Sequence, residues 1–284
     1  MATFTSIAPS DGADYGLNPH SGRRTSLSKI YRPNVIGNIL SPLMYADVVS
    51  EFYDFNEVTF NGDPFTVTKD AGATTWAIAA GAGGMIRGVT GATSGDGLSL
   101  LGSPNWYGDR RAGMEVRAKS DVATTLTMEG GFINAVTDMT TPAVTDIDSV
   151  TFGAGLTEGA VITIDVGETL TTFALATKSG TYTTAFKKVF YGPAINGTTG
   201  VGVTAGEWVT LRVQLDGDNV HGFIYNNAGL LVSEAHIPAA GTAALTGGIE
   251  GGTALKPWFA AATQTTASKN IDVDYIRVWQ DRFV

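Results

Sequence analysis

Short segments in which apolar and polar residues alternate make up most of the chain. Residues 114–119 alternate strictly, and residues 208–215, 220–225 and 271–279 keep nearly the same period of two. The turns between such segments are rich in Gly, Asn and Asp, as at residues 216–219. Because successive side chains of a strand point to opposite faces, this pattern predicts half-buried β-strands.

The predicted strands group into meanders. Residues 208–237 predict one three-stranded meander and residues 149–176 a second, while the Gly/Ala-rich residues 71–102 predict weak strands joined by loops. No window long enough for a helix of about 12 residues has a convincing 3.6-residue period. The chain is therefore predicted to be all-β, an antiparallel sandwich or barrel.

The first 49 residues differ from the rest. They hold four of the ten prolines, no sustained period, and four basic residues against three acidic ones. We interpret residues 1–49 as an extended N-terminal arm, with a loose leader as the alternative, and residues 50–284 as one domain. The N-terminus has neither a basic nor an apolar region of the kind that signal peptides carry, so none is expected.

Composition excludes several classes of function. A net charge of −9 argues against a general nucleic-acid coat, which needs clustered Lys and Arg. The absence of cysteine excludes disulfides and thiolate chemistry. No apolar segment reaches the roughly 20 residues of a membrane-spanning helix, so no membrane partner is expected.

Several segments resemble a known family. Residues 270–279 resemble the last strand of concanavalin A-like lectin and glucanase jelly rolls, and residues 207–213 with 222–227 resemble an earlier strand pair. Residues 112–119 and 130–138 resemble virion proteins of tailed bacteriophages that carry this jelly roll as head decoration. The resemblance implies an antiparallel two-sheet jelly-roll β-sandwich.

The phage resemblance also implies a function. The chain would be a non-catalytic decoration or cement protein, made in the host cytoplasm and placed on the outer surface of the phage head. Its partner would be the major capsid protein, and a homo-oligomer such as a trimer is expected. The arm residues expected to contact the capsid are Arg23, Arg24, Lys29, Tyr31 and Arg32.

Glycan binding is the alternative function, since jelly rolls of this kind also bind glycans; the chain would then be a module on a phage head or tail that attaches to host polysaccharide. The candidate residues are Trp106, Tyr107 and Asp109, in a predicted loop that continues into two arginines. An aromatic ring beside a carboxylate can stack on a sugar and hydrogen-bond to it. The competing interpretation is that Trp106 closes the open end of the sandwich. The other four tryptophans are expected in the core or an interface.

Enzymatic activity is not expected, although a glycoside hydrolase remains a third hypothesis. Family glucanases carry Glu-x-Asp-x-Glu or a close variant on one strand, and retaining hydrolysis needs two carboxyls about 5 Å apart. The nearest match is residues 163–168, where Thr163 occupies the nucleophile position and Asp165 and Glu168 are expected in a turn.

No cofactor or metal site is expected either. Asp138, Asp146 and Asp148 could offer oxygen ligands to Ca²⁺, but they lack a calcium-loop signature. His221 and His236 are predicted on neighbouring strands, as surface or packing residues.

Overall fold

A computed structural model describes most of the predicted domain. The described residues are 48–55, 60, 64–79, 84–165, 172–180, 185–192, 200–239 and 247–282. Val49–Val284 forms a compact unit. In the described residues the secondary structure is β-strand apart from one 3₁₀ turn at Gly108–Arg110, which confirms the all-β prediction. The described residues contain no helix that is long and apolar enough to cross a membrane.

The described residues form seventeen strands. They are β1 (Val48–Tyr53), β2 (Thr66–Lys69), β3 (Thr74–Ile78), β4 (Ile86–Val89), β5 (Gly97–Leu101), β6 (Gly113–Ser120), β7 (Leu126–Ile133), β8 (Val144–Asp146), β9 (Thr151–Phe152), β10 (Gly159–Asp165), β11 (Ala174–Lys178), β12 (Phe186–Val189), β13 (Val209–Asp216), β14 (Asn219–Tyr225), β15 (Leu231–Ile237), β16 (Lys256–Thr263) and β17 (Asn270–Asp281).

The strands form two large sheets. Sheet A has the order β15-β14-β13-β6-β17-β4-β3, with β1 also paired to β17. Sheet B has the order β12-β11-β10-β7-β16-β5-β2, and every pair along these two orders is antiparallel. The two-sheet antiparallel jelly-roll sandwich predicted from the sequence is confirmed.

The main core lies between the two sheets. Alternate residues of β6, such as Met114 and Val116, pack there with Leu126, Met128 and Phe132 of β7. Gly130 is required because a Cβ at its position would come within 2.7 Å of Val116 Cγ1.

The alternation of apolar and polar residues in the sequence marks strands of sheet A such as β6, because one face of this sheet packs in the core and its outer face carries polar groups.

A second, smaller core covers the other face of sheet B. The segment between β7 and β10, residues 134–158, folds over this face and is called the cap segment below. It buries Val144, Ile147, Phe152 and Leu156 against sheet B, where Trp258 is among the partners. Strands β7 and β10 are consequently buried along their whole length, so the polar residues that alternate with apolar ones at 126–129 and 162–165 are buried as well.

The structure departs from the pattern expected from the sequence at two places. Residues 149–156 contain only the two-residue strand β9, inside the cap segment. Asp272 and Asp274 are two residues apart, as residues on one face of a regular strand are, but the register shifts between Val273 and Tyr275, and Asp272 is only 3% exposed.

Candidate functional site

A cavity of about 640 Å³ opens at one end of the sandwich. Three connections meet there: the 3₁₀ turn before β6, the hairpin between β13 and β14, and the segment before β16. The lining residues are Tyr107, Asp109, Arg110, Arg111, Asp216, Gly217, Asn219 and Gly252. This volume lies within the range of about 300–1,000 Å³ that is usual for ligand sites.

The cavity contains two of the three residues predicted for glycan binding. Tyr107 is half-buried, Asp109 is exposed, and both line the cavity. Trp106 is only 3% exposed and belongs to the main core, with its backbone bridged to Leu255. The ring of Trp106 is therefore packed inside the sandwich, while its neighbour Tyr107 reaches the cavity.

Backbone hydrogen bonds hold the loop in place. Arg111 adopts the left-handed conformation at φ 53°, which ends the 3₁₀ turn, and its N–H donates to Gly108 O. The Gly217 N–H donates to the same carbonyl at 3.0 Å, which joins the loop to the β13–β14 hairpin. The Asp109 N–H donates to Gly251 O at 3.0 Å, so all three connections are tied together.

The two arginines of the loop have different surroundings. Arg111 forms ion pairs with Asp216 at 3.3 Å and with Asp281 at 3.4 Å. The Arg110 guanidinium lies over the Tyr107 ring, with Cζ 5.0 Å from the ring centroid. Within the described residues, no ion pair includes Arg110 or Asp109. The cavity therefore presents one guanidinium and one carboxylate to a ligand.

A buried carboxylate under the cap segment was not identified from the sequence. Glu129 of β7 is fully buried and accepts hydrogen bonds from the N–H groups of Ala143 and Val144 and from Trp258 Nε1. Burial raises the pKa of Glu129 to about 7, although the three donors act in the opposite direction. The carboxylate thus fastens the cap segment to sheet B.

The residues compared with the glucanase motif lie beside Glu129. Thr163 is the cross-strand partner of Glu129, and its buried Oγ1 has no hydrogen-bond partner. Asp165 was expected in a turn, but it is the last residue of β10, is 5% exposed and accepts a hydrogen bond from Thr127 Oγ1 at 3.2 Å. Glu168 lies outside the described residues.

Two of the three candidate calcium ligands, Asp138 and Asp146, accept hydrogen bonds within turns, and the third, Asp148, pairs with Lys187 at 3.5 Å. Asp138 accepts from the Thr140 N–H and hydroxyl, and Asp146 accepts from the N–H groups of Asp148 and Ser149. In the part of the chain that the structure describes, no group of three or more His, Asp or Glu is arranged to hold a metal.

The outer face of sheet A carries a row of stacked side chains. The Arg212 guanidinium is buried and lies 5.1 Å from the Trp279 ring centroid and 5.4 Å from that of Phe223. His221 and His236 are cross-strand partners whose rings stack at 4.4 Å, as expected from neighbouring strands. Burial lowers the pKa of both histidines. The stacked arginine, aromatic and histidine side chains therefore stabilise the outer face of sheet A by packing against one another.

The arm residues predicted to contact a capsid, Arg23, Arg24, Lys29, Tyr31 and Arg32, lie outside the described residues. That prediction and the domain boundary therefore stay predictions.

No protein-family model matches this chain, and no curated protein matches it significantly. Solved structures do match. Peanut lectin superposes with a TM-score of 0.50 at 12% identity, covering 82% of this chain and 97% of the lectin. The catalytic domain of a laminarinase from Thermotoga petrophila RKU-1 gives a TM-score of 0.50 at 11% identity, covering 84% and 98%.

A phage protein module has the same fold. The carbohydrate-binding CBM2 module of the evolved Dit protein of Lactobacillus casei BL23 phage J-1 superposes with a TM-score of 0.50 at 11% identity. The match covers 84% of this chain and 98% of the module. At these identities the comparisons establish the fold, and this chain has the jelly roll shared by concanavalin A-like lectins and glucanases.

Proposed function

We propose that this chain is a non-catalytic glycan-binding protein and that the cavity at Tyr107 is its binding site. The observation that carries the proposal is the convergence of an aromatic ring, a carboxylate, an amide and a guanidinium around one cavity. Fold alone does not determine function, so the argument rests on these side chains. The lectins and the carbohydrate-binding module with the same fold support it only as precedents.

The chemistry of the cavity suits a sugar. Sugar hydroxyls both donate and accept hydrogen bonds, and the cavity offers both kinds of partner. Asp109 can accept from hydroxyls, whereas Arg110 and the Asn219 side-chain amide can donate to them. Two hydrogen bonds of 3.0 Å orient the Asn219 amide: its Nδ2–H donates to Asp216 O, and its Oδ1 accepts from the Ala239 N–H. The Tyr107 ring adds apolar surface against which a sugar ring can pack.

The arrangement of carboxylates supports the absence of catalysis. Glycoside hydrolysis uses two carboxyl groups on opposite sides of the scissile bond. In the cavity, Asp216 is paired with Arg111, which leaves Asp109 as the carboxylate available there. Glu129 and Asp165 lie on sheet B at buried positions. The proposal therefore predicts binding without turnover.

The experiment is a glycan array with the purified full chain, followed by calorimetry on the best ligand. Tyr107→Ala and Asp109→Asn should each weaken binding about tenfold or more, as expected for losing packing or a charged hydrogen bond. Tyr191→Ala is the matched control, because Tyr191 is 52% exposed and is not among the lining residues. Trp106→Ala is unsuitable, since it would remove a core side chain.

Two results would contradict the proposal. Unchanged affinity in both cavity variants would place the glycan elsewhere, and release of reducing sugar from the bound glycan would exclude a purely binding role.

We also propose, as a second candidate, that this protein acts on a virion surface. The similar fold of a phage J-1 module supports this candidate as a precedent. The arm would bind the capsid while the jelly roll displays its cavity outward. Co-sedimentation with heads of the source phage should be lost when Arg23, Arg24 and Arg32 are replaced by Glu. Equal co-sedimentation of the unchanged chain and the Glu-substituted chain would argue against capsid binding through the arm.

A further inference from the structure

We propose that the cavity selects glycans bearing an anionic group, and that Arg110 binds this group. This inference rests on the proposed glycan-binding function and specifies its ligand class. The shared chemistry is an acidic oxygen cluster, either the carboxylate of a uronic acid or a sulfate ester.

The first step is the difference between the two neighbouring arginines. The Arg111 charge is neutralised by Asp216 and Asp281, so Arg111 serves to fasten the loop to β13 and β17. Arg110 is exposed and has no carboxylate within ion-pair distance among the described residues. Arg110 is therefore the cation of the cavity whose charge has no carboxylate partner within the described residues.

The second step is the orientation of that cation. The guanidinium of Arg110 lies over the Tyr107 ring, and the Tyr107 N–H is held by Gln280 Oε1 at 3.2 Å. A cation–π contact restrains a guanidinium near the ring while its N–H groups can still donate to a ligand. The planar donors of a guanidinium match a carboxylate in two parallel hydrogen bonds, and also match sulfate oxygens.

The third step is the charge balance. Four charged side chains line the cavity, and one ion pair, Arg111 with Asp216, accounts for two of them. Asp109 and Arg110 remain, so the cavity can direct a carboxylate to hydroxyls and a guanidinium to an anion of the same sugar. The chain as a whole carries a net charge of −9. General attraction to a polyanion is therefore unfavourable, and selectivity for acidic glycans would have to arise locally.

The test compares polymers that differ only in charge. Polygalacturonate is paired with its fully methyl-esterified form, and dextran sulfate is paired with dextran. We expect the full chain to bind one acidic polymer about 10- to 100-fold more tightly than its neutral partner, as a charged hydrogen-bond pair would give. The pair that shows the difference identifies carboxylate or sulfate ester as the anion.

Variants then assign the preference to Arg110. Arg110→Gln should remove the preference, and Arg110→Lys should retain part of it, because Lys keeps the charge but not the planar donors. Arg282→Gln is the matched control, since Arg282 is exposed near the end of the same strand as Asp281 but does not line the cavity. It should keep the full preference. Circular dichroism confirms that each variant is folded.

The outcomes separate this inference from the function on which it rests. Equal binding of both members of each pair, or a preference that Arg110→Gln retains, overturns the inference and leaves glycan binding intact. Binding to none of the four polymers also overturns it, and the glycan array then decides the proposed function separately.

Discussion

Glu129 combines complete burial with a carboxylate that receives three N–H donors. Two of these donors, Ala143 and Val144, belong to the cap segment, and the third is the indole of Trp258. Donors favour the ionised carboxylate, whereas the loss of water favours the protonated one. Burial is the larger effect, so the pKa rises from 4.5 to about 7.

The raised pKa predicts a pH-dependent stability. Below pH 4.5 Glu129 is protonated in both the folded and the unfolded state, and its contribution to folding is greatest. As the pH rises from 4.5 to 7, the unfolded state ionises first, and about 3 kcal/mol of this contribution is lost at most. Glu129→Gln should therefore flatten the decline in the free energy of unfolding over this range. Urea denaturation at several pH values measures the slope.

The matched control for this prediction is Glu207→Gln, because Glu207 is exposed. It should keep the wild-type slope. A Glu129→Gln protein with the wild-type dependence between pH 4.5 and 7 would show that the carboxylate does not govern it.

The loop position of Tyr107 and Asp109 was predictable from the sequence, whereas their role in glycan binding stays a prediction. Gly102 and Pro104 predict a loop at this point of the chain, and Tyr107 and Asp109, which follow them, both line the cavity. The sequence could not show that Trp106 is buried while Tyr107 reaches the cavity, because the burial of Trp106 depends on pairing with Leu255, about 150 residues away along the chain. Glu129 was missed because Gly130 and Gly131 follow it, and a carboxylate before two glycines is typical of an exposed turn.

At the level of elements, the cavity depends on close contact between backbones. Gly108 in the 3₁₀ turn is placed so that a Cβ would come within 2.3 Å of Gly217 O and 2.8 Å of Gly251 Cα. These are backbone atoms of the other two connections, which cannot move aside as a flexible side chain can. The absence of a side chain at Gly108 is therefore what allows the three connections to meet.

Gly108→Ala should push the β13–β14 hairpin away from the loop. We expect it to lower the free energy of unfolding by roughly 1–3 kcal/mol, as overpacking does, and to weaken glycan binding without changing a lining side chain. Gly180→Ala is the control, because a Cβ at Gly180 would make only ordinary contacts of 3.7 Å or more. Chemical denaturation and calorimetry measure both effects, and unchanged binding would mean that the cavity does not need this contact.

The strands themselves were predictable where one face meets water and the other meets the core. Residues 114–119 alternate because β6 is such a strand, and the observed strand is Gly113–Ser120. The bulge between Val273 and Tyr275 interrupts this alternation, since Asp272 and Asp274 are two residues apart but Arg277 follows Asp274 by three. The bulge separates Asp272, which pairs with Arg87 and Lys119, from Asp274, which pairs with Arg117.

At the scale of the whole molecule, two cores of unequal size share sheet B. The larger core joins the two sheets, and the smaller one joins sheet B to the cap segment. The cap segment contains only the two-stranded sheet of β8 and β9, whereas β6 and β13 are central strands of sheet A. Because local opening follows the regions with the least buried structure, the cap segment should open without unfolding the sandwich.

Hydrogen exchange in low concentrations of denaturant tests this difference. Backbone bonds within the cap segment, such as Thr137 N–H to Ala154 O and Gly153 N–H to Ala143 O, should exchange through a local opening that depends little on denaturant. The N–H groups of β13 should exchange only with global unfolding, at higher free energy and with a steep denaturant dependence. Identical free energies and slopes in both regions would mean that the two cores unfold as one unit. A separate opening would show that the outer face of sheet B can be uncovered while the cavity at the end of the sandwich stays intact.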